Sequence, residues 1–164
     1  MKTLYILRHA KSSWKFEELS DHDRPLNKRG RNDAPLIGQE LASRDVKPQL
    51  ILSSPAVRAI TTATLVGKEL EYSPADIVLD ERIYGADTDA LLEVTREAPA
   101  EVDQLLLVGH NEAISDFANM LSPEPLASLP TAGIIALSFD CESWYDISRK
   151  NAKLLFYDFP KNHY

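Results

Sequence analysis

The chain has 164 residues, 44% of them hydrophobic and 26% charged, with a formal net charge of −7. This length favours one domain over residues 1–164, and the acidic balance argues against non-specific binding to nucleic acid or anionic membrane. The single cysteine, Cys141, excludes an internal disulfide, and no bilayer-spanning run or signal-peptide core is visible, so we expect a cytoplasmic protein.

Apolar runs of strand length alternate along the chain with segments of helical periodicity. The predicted strands are residues 2–8, 50–52, 77–79, 105–108, 134–139 and 154–159. The predicted helices are residues 28–44, 55–70, 88–98 and 112–121, with Asn27 capping the first and Ser54 capping the second, whose first turn contains Pro55. This alternation predicts a three-layer α/β fold in which helices cover both faces of a mostly parallel central sheet. We expect the last two strands to form an antiparallel pair.

The segment between the first strand and the first helix has neither a strand nor a helix period. Residues 10–26 mix aromatic side chains with acidic and basic ones, among them Asp21, Asp23 and Arg24. We therefore predict a long loop, and long loops inside compact domains are often functional.

Basic and imidazole side chains follow three of the predicted strands. Arg8 and His9 follow the first strand, Arg58 lies just after the second, and His110 follows the strand at 105–108. Because the carboxyl ends of parallel strands share one edge of a sheet, we expect these groups to converge there. Guanidinium groups bind phosphate oxygens bidentately, and a neutral imidazole nitrogen can attack phosphorus. A nucleoside-triphosphate cradle is not expected, since no Walker-type glycine loop is present.

The set of motifs resembles the histidine phosphatase superfamily, also called phosphoglycerate-mutase-like. The resemblance is carried by Leu7-Arg8-His9-Ala10, by Ser53-Ser54-Pro55-Ala56-Val57-Arg58-Ala59 and by Val108-Gly109-His110-Asn111. Two further stretches, Asp23–Gly30 and Leu129–Gly133, resemble the small SixA-like phosphohistidine phosphatases in particular.

The resemblance implies a role for each matching residue. His9 would be the nucleophile that becomes phosphorylated, while Arg8, Arg58 and His110 would bind the phosphoryl oxygens, His110 as the imidazolium. Arg24 matches an arginine that faces the pocket in the short members. No metal or cofactor is implied. The expected partner is a phosphorylated protein carrying phosphohistidine, or a small phosphorylated metabolite, and neither nucleic acid nor membrane.

The proton donor is open between three carboxyl groups. Many members of the superfamily place a glutamate after the third strand, where Glu81 is the nearest match, and Asp21 and Asp23 on the loop are rivals. The SixA-like members work without a strong acid, which is chemically reasonable because a phosphoramidate P–N bond expels a stable imidazole. A module that binds phosphorylated partners without turnover is the alternative from another functional class.

Overall fold

A computed structural model describes all 164 residues and contains one six-stranded sheet. The strands are β1 (Lys2–Arg8), β2 (Leu50–Ser53), β3 (Val78–Leu79), β4 (Gln104–Gly109), β5 (Ile134–Phe139) and β6 (Ala152–Asp158). Their order across the sheet is β3-β2-β4-β1-β5-β6. The first four strands in this order pair in parallel, and β5 pairs antiparallel with both β1 and β6. The mostly parallel sheet and its antiparallel closing pair are therefore confirmed.

Two helices cover each face of this sheet, as the alternating pattern predicts. The helices are α1 (Lys28–Ser43), α2 (Val57–Glu69), α3 (Thr88–Arg96) and α4 (Ala113–Leu121). Successive side chains of β1 point to opposite faces, so that Leu4 and Ile6 join the core under α3 and α4, and Leu7 joins the core under α1 and α2. Each such buried side chain contributes about 1.5–3 kcal/mol. The α/β three-layer prediction is confirmed.

The helix starts differ in how well the sequence marks them. Asn27 caps α1 as predicted, because its side-chain oxygen accepts a hydrogen bond from the Gly30 amide at 2.9 Å. The second helix begins at Val57, two residues later than predicted, and no side chain caps it. The prediction that Ser54 caps this helix is wrong: its hydroxyl accepts from the Ala56 amide within a preceding turn.

Strand register places the three polar strand ends side by side. β4 lies between β1 and β2, with Arg8 opposite Gly109 and Ser53 opposite Val108. The pairing continues one residue further, since the His9 amide donates to the Gly109 carbonyl at 3.0 Å. The predicted convergence at one edge of the sheet is thus a direct result of this register.

None of the helices combines the length and the apolar character needed to cross a bilayer.

Candidate active site

His9 is buried directly after β1, and its surroundings fix which ring nitrogen carries hydrogen. Its side chain is 8% exposed, and its Nδ1 lies 2.7 Å from the carbonyl oxygen of Ala10. A carbonyl oxygen can only accept, so Nδ1 is the donor and carries the hydrogen of the neutral ring. The other nitrogen, Nε2, then has a free lone pair, which is the state that nucleophilic attack requires.

Burial also keeps the His9 ring neutral. Desolvation is the largest of the effects that together lower the pKa of His9 to about 3; the nearby His110, Arg58 and Arg8 act in the same direction, and the Ala10 hydrogen bond opposes them. An imidazole with this pKa is unprotonated throughout the physiological range. The same result shows that two guanidinium groups lie close enough to His9 to act on its charge.

Arg8 and Arg58 each keep a buried N–H group that bonds to nothing in the protein. Arg8 donates from Nη1 to the Leu129 carbonyl at 2.9 Å, and Arg58 donates from Nη1 and Nη2 to Asp21. The Nε atoms of both arginines are buried and have no hydrogen-bond partner. Unpaired buried donors are costly and uncommon, so groups like these mark a place suited to an anionic ligand.

His110 lies beside His9, with 5.1 Å between the ring centroids. Its Nε2 is 2.7 Å from the Ser54 hydroxyl, and its Nδ1 is buried without a partner. Burial and the charge of Arg58 lower the pKa of His110 to about 4. The structure therefore differs from the expected imidazolium, because the desolvated ring beside a guanidinium is neutral near pH 7. A neutral ring whose Nε2 accepts a hydrogen bond from the Ser54 hydroxyl still has an N–H donor at Nδ1.

Asp21 connects the loop of residues 10–26 to the site residues that follow the strands. Its carbonyl oxygen accepts from Arg58 Nη1 at 2.5 Å, and its carboxylate accepts from Arg58 Nη2 at 3.0 Å and from Arg24 Nε at 3.1 Å. The Tyr84 hydroxyl also donates to this carboxylate at 2.7 Å. The Tyr84 hydrogen bond, with help from Arg58 and Arg24, lowers the pKa of Asp21 well below its ordinary value.

Arg24 is buried on the loop side of the site, where it bonds to Asp21. Besides Asp21, it donates from Nη1 to the Ser12 hydroxyl at 2.9 Å and to the Ser13 carbonyl at 3.2 Å. The ring of Trp14 covers its guanidinium at 3.5 Å, although the indole itself is 73% exposed. Arg24 therefore lies between Asp21 of the site and an aromatic side chain at the surface.

The other two candidate acids lie outside this network of contacts. Glu81 is exposed in a short turn before Tyr84 and makes no hydrogen bond or ion pair with another side chain. Asp23 is also exposed, and its carboxylate contacts only His22, at 3.5 Å. Of the three carboxyl groups, only Asp21 contacts the arginines.

Four contributors to the site are not visible in the sequence. Ser54 contacts His110 instead of capping a helix, and Tyr84 donates to Asp21 from 63 residues away. The Leu129 carbonyl orients Arg8, and the buried Thr62 hydroxyl accepts the Ala10 amide at 2.9 Å. Ser54 and Leu129 stand within the motifs that carry the resemblance, whereas nothing in the local pattern distinguishes Tyr84 or Thr62.

The chain matches the model of a known protein family. The family model described as the histidine phosphatase superfamily (branch 1) matches residues 4–119, a range that includes β1, β2 and β4 with the residues at their ends. The chain belongs to the histidine phosphatase superfamily. The family resemblance inferred from the motifs is confirmed.

Relatives of this superfamily member match it over nearly its whole length. An uncharacterized protein of Mycobacterium tuberculosis (strain H37Rv) is 32% identical over 165 residues, covering 94% of this chain and all of the relative. A crystal structure of SixA from Agrobacterium tumefaciens, described as a candidate phosphohistidine phosphatase, is similar with a TM-score of 0.80 at 30% identity, covering 97% and 99% of the two chains.

A further solved structure shows the same fold. The protein histidine phosphatase SixA complexed with tungstate gives a TM-score of 0.77 at 23% identity, covering 98% of each chain. The superfamily and these SixA-like neighbours together support a phosphatase.

Proposed function

We propose that this protein hydrolyses phosphorylated substrates through a covalent phosphohistidine intermediate on His9. The observation that carries the proposal is the state of His9: a buried neutral ring whose Nδ1–H is held by the Ala10 carbonyl, which leaves the Nε2 lone pair free. Unpaired donors of Arg8, Arg58 and His110 accompany it. This combination provides a nucleophile together with fixed donors for the charge that develops on the phosphoryl oxygens.

The first step is an in-line displacement at phosphorus. The Nε2 lone pair forms the new P–N bond while the bond from phosphorus to the leaving group breaks, and the leaving group takes that electron pair. The ring keeps its hydrogen at Nδ1 and becomes cationic, so the Ala10 carbonyl stabilises the phosphorylated ring. The Nε–H groups of Arg8 and Arg58 hold the equatorial oxygens during the transfer.

The second step returns the histidine to its starting state. The oxygen of a water molecule attacks the phosphorus atom and forms a P–O bond, while the P–N bond breaks and its electron pair goes back to Nε2. The two hydrogens of the water remain on the product as dihydrogen phosphate, so the neutral His9 ring and its Nδ1–H are regenerated. No other group has to change its protonation state in this step.

We propose phosphohistidine on a protein as the substrate. An imidazole leaving group needs little help from an acid, and the carboxylates here offer little: Asp21 has a lowered pKa, and the exposed Glu81 side chain makes no hydrogen bond or ion pair. The 30%-identical SixA relative described as a candidate phosphohistidine phosphatase supports the same assignment. The exposed indole of Trp14, which stacks on Arg24 at the loop side of the site, also fits a macromolecular substrate.

The nucleophile is tested with His9→Ala, using His163→Asn as a matched histidine replacement outside the site. Loss of a catalytic nucleophile costs roughly 10⁴-fold or more in turnover, so His9→Ala should be nearly inactive on an aryl phosphate. Rapid quenching of the wild type should trap protein-bound phosphate that is acid-labile and base-stable, and this signal should be absent from His9→Ala. Full activity in His9→Ala, or reversible binding without phosphate release by the wild type, would contradict the proposal.

The substrate class is tested by comparing kcat/KM for three kinds of phosphate. A histidine-containing protein phosphorylated with phosphoramidate should be a better substrate than a phosphoserine peptide or 4-nitrophenyl phosphate. Because the P–N bond expels an imidazole, whereas the phosphoserine ester expels a basic alkoxide that needs a proton, the preference should be largest over the phosphoserine peptide. Preference for a small ester would assign the enzyme to the small-molecule phosphatases of the superfamily instead.

A further inference from the structure

Asp21 receives four hydrogen bonds from three side chains that come from separate parts of the chain. Arg58 of α2 gives two of them, one to the carbonyl oxygen and one to the carboxylate, while Arg24 and Tyr84 give one each to the carboxylate. We call this set the Asp21 bridge. It is the main polar connection between the loop of residues 10–26 and the strand-end residues of the site.

The bridge fixes the rotation of the Arg58 guanidinium. Both terminal nitrogens of Arg58 are directed to Asp21, one at 2.5 Å and the other at 3.0 Å. Because the guanidinium is planar, two bonds to one residue set its plane, and the direction of the remaining Nε–H follows from that plane. This Nε–H is the buried donor without a partner. Asp21 thus determines where the free donor of Arg58 points.

Arg24 is held in a complementary way. Its Nε donates to Asp21 and its Nη1 donates to Ser12 and Ser13, so these bonds leave its Nη2 uncommitted. Each guanidinium therefore uses some of its N–H groups to bind Asp21 or other loop residues. Arg58 keeps its Nε–H free, and Arg24 keeps its Nη2 group free. These free N–H groups are the ones with which Arg58 or Arg24 can contact a phosphoryl group.

The same contacts make Asp21 a poor proton donor. Three donors on one carboxylate stabilise its ionised form, and its pKa is lowered accordingly. A carboxyl group that is ionised near neutral pH has no proton to give to a leaving group. This separates Asp21 from the acid role that its position on the loop first suggests.

We infer that Asp21 is a positioning residue, which orients Arg58 and Arg24 for the phosphoryl group through the Asp21 bridge and transfers no proton. The inference rests on the proposed function, because it gives the arginines of that site their geometry. A misplacement of about 1 Å in such a group can cost roughly 100-fold in rate. Loss of the bridge should therefore weaken both oxyanion binding and catalysis.

The test uses Asp21→Asn, with Glu18→Gln as the control that removes one negative charge from the same loop. Glu18 is exposed and makes no hydrogen bond with another residue, whereas an asparagine at position 21 has one acceptor oxygen for three donors. We expect Asp21→Asn to lower kcat/KM by about 10- to 100-fold and to weaken competitive inhibition by vanadate by a similar factor. Glu18→Gln should stay within about twofold of the wild type.

The leaving group separates positioning from proton donation. A positioning residue acts on the phosphoryl oxygens, so the loss in Asp21→Asn should be equal for 4-nitrophenyl phosphate and for the more basic leaving group of phenyl phosphate. A loss that grows with the basicity of the leaving group would assign Asp21 the role of acid and overturn the inference. Thermal unfolding of each variant checks that the loop and fold persist, and Tyr84→Phe removes a single bond of the bridge if Asp21→Asn does not fold.

A double-mutant cycle with Arg58 completes the test. If Asp21 acts through Arg58, the Asp21→Asn change should have only a small further effect in an Arg58→Ala background. Equal and additive losses in both backgrounds would overturn the inference. Failure of the proposed function looks different, since it would leave His9→Ala and Arg58→Ala active. Failure of this inference alone would leave both of those variants impaired, while Asp21→Asn would be as active as Glu18→Gln, or would show a loss that depends on the leaving group or is independent of Arg58.

Discussion

The site is built from two groups of residues that differ in what holds them. The strand-end group, Arg8, His9, Arg58 and His110, follows from the register of β1, β2 and β4 and is backed by the apolar core. The loop group, Trp14, Asp21 and Arg24, has no strand pairing beyond an isolated bridge between Ser12 and Leu26. Its place is set mainly by side-chain hydrogen bonds to Arg58 and Tyr84.

This difference separates two tasks that the chemistry requires. The nucleophile must keep one geometry and one tautomer, and a rigid sheet edge in a dry interior provides both. The loop must admit a substrate and release phosphate, which favours a segment held by a few exchangeable polar contacts. Arg58 connects the two groups, because its backbone lies in the first turn of α2 and its guanidinium bonds to Asp21 of the loop.

Apart from loss of the nucleophile itself, the largest effect is expected where the two groups meet. Arg58→Lys keeps the charge but loses the planar fork, so it removes the Nε donor and one bond of the Asp21 bridge together. We expect kcat/KM to fall by roughly 10²–10³-fold, as for loss of one fixed donor in other enzymes. Arg149→Lys, at an exposed arginine, serves as the matched control, and equal activity of the two variants would contradict a special role for residue 58.

The next effect concerns acid stability of the strand-end group. His9 and His110 have pKa values of about 3 and about 4 in the folded chain, against 6.5 as the ordinary value. Below pH 6.5 the unfolded chain binds protons that the folded chain does not, so the free energy of unfolding should fall by up to ~1.4 kcal/mol per pH unit for each histidine. Urea unfolding at pH 7 and pH 5 measures this slope.

His9→Asn should remove about half of that pH-dependent loss, because it leaves His110 as the remaining depressed histidine. An unchanged slope in His9→Asn would show that His9 titrates alike in the folded and unfolded chains. The loop group should contribute little to this slope, because the pKa of Asp21 is lowered by its hydrogen bonds with Tyr84, Arg58 and Arg24, and an aspartate is ionised in both the folded and the unfolded chain between pH 5 and pH 7.

A smaller effect is expected from the link between β1 and α2. The fully buried Thr62 hydroxyl accepts from the Ala10 amide and donates to the Arg58 carbonyl at 2.7 Å. Thr62→Val keeps the shape but leaves a buried amide unpaired, which should lower the free energy of unfolding by about 1–3 kcal/mol. The neighbouring Thr61→Val, which loses only a bond to the Val57 carbonyl, should change it by about 0.5 kcal/mol or less.

The smallest effect on stability is expected in the loop group. Trp14→Ala removes the ring over Arg24, a contact worth about 0.5–1 kcal/mol at an exposed site. Turnover of 4-nitrophenyl phosphate should change by about twofold or less, whereas kcat/KM for a phosphorylated protein should fall by about fivefold or more if the indole contacts that substrate. Equal changes for both substrates would show that Trp14 only supports the loop.

The sequence predicts the strand-end group well because its signals are local. A buried apolar run that ends in Arg8-His9 and another that ends in Gly109-His110 define both the strands and the polar residues after them. The parallel pairing then follows from alternating strands and helices, and it brings the two histidine rings to 5.1 Å.

The sequence identifies residues of the loop group as candidates, but it does not predict which residues they contact. Arg24 and Asp21 are visible as charged residues, yet the bond from Tyr84 to Asp21 spans 63 residues and depends on the conformation of two connecting segments. The neutral state of His110 was also missed, because it results from burial and not from residue type. The Ser54 hydroxyl shows the same limit, because the sequence does not distinguish a serine that caps a helix from a serine that hydrogen-bonds to an imidazole.

The two tryptophans of this chain occupy opposite environments. Trp144 is sealed in the interior, where its Nε1–H donates to the Val102 carbonyl at 2.7 Å, whereas Trp14 is open to solvent and stacked on a cation. Intrinsic fluorescence therefore contains a constant background from one indole and a signal from the other that responds to movement of the loop. Stopped-flow emission of the unlabelled wild type can follow arrival and departure of a ligand in real time, with Trp14→Phe as the spectroscopic blank.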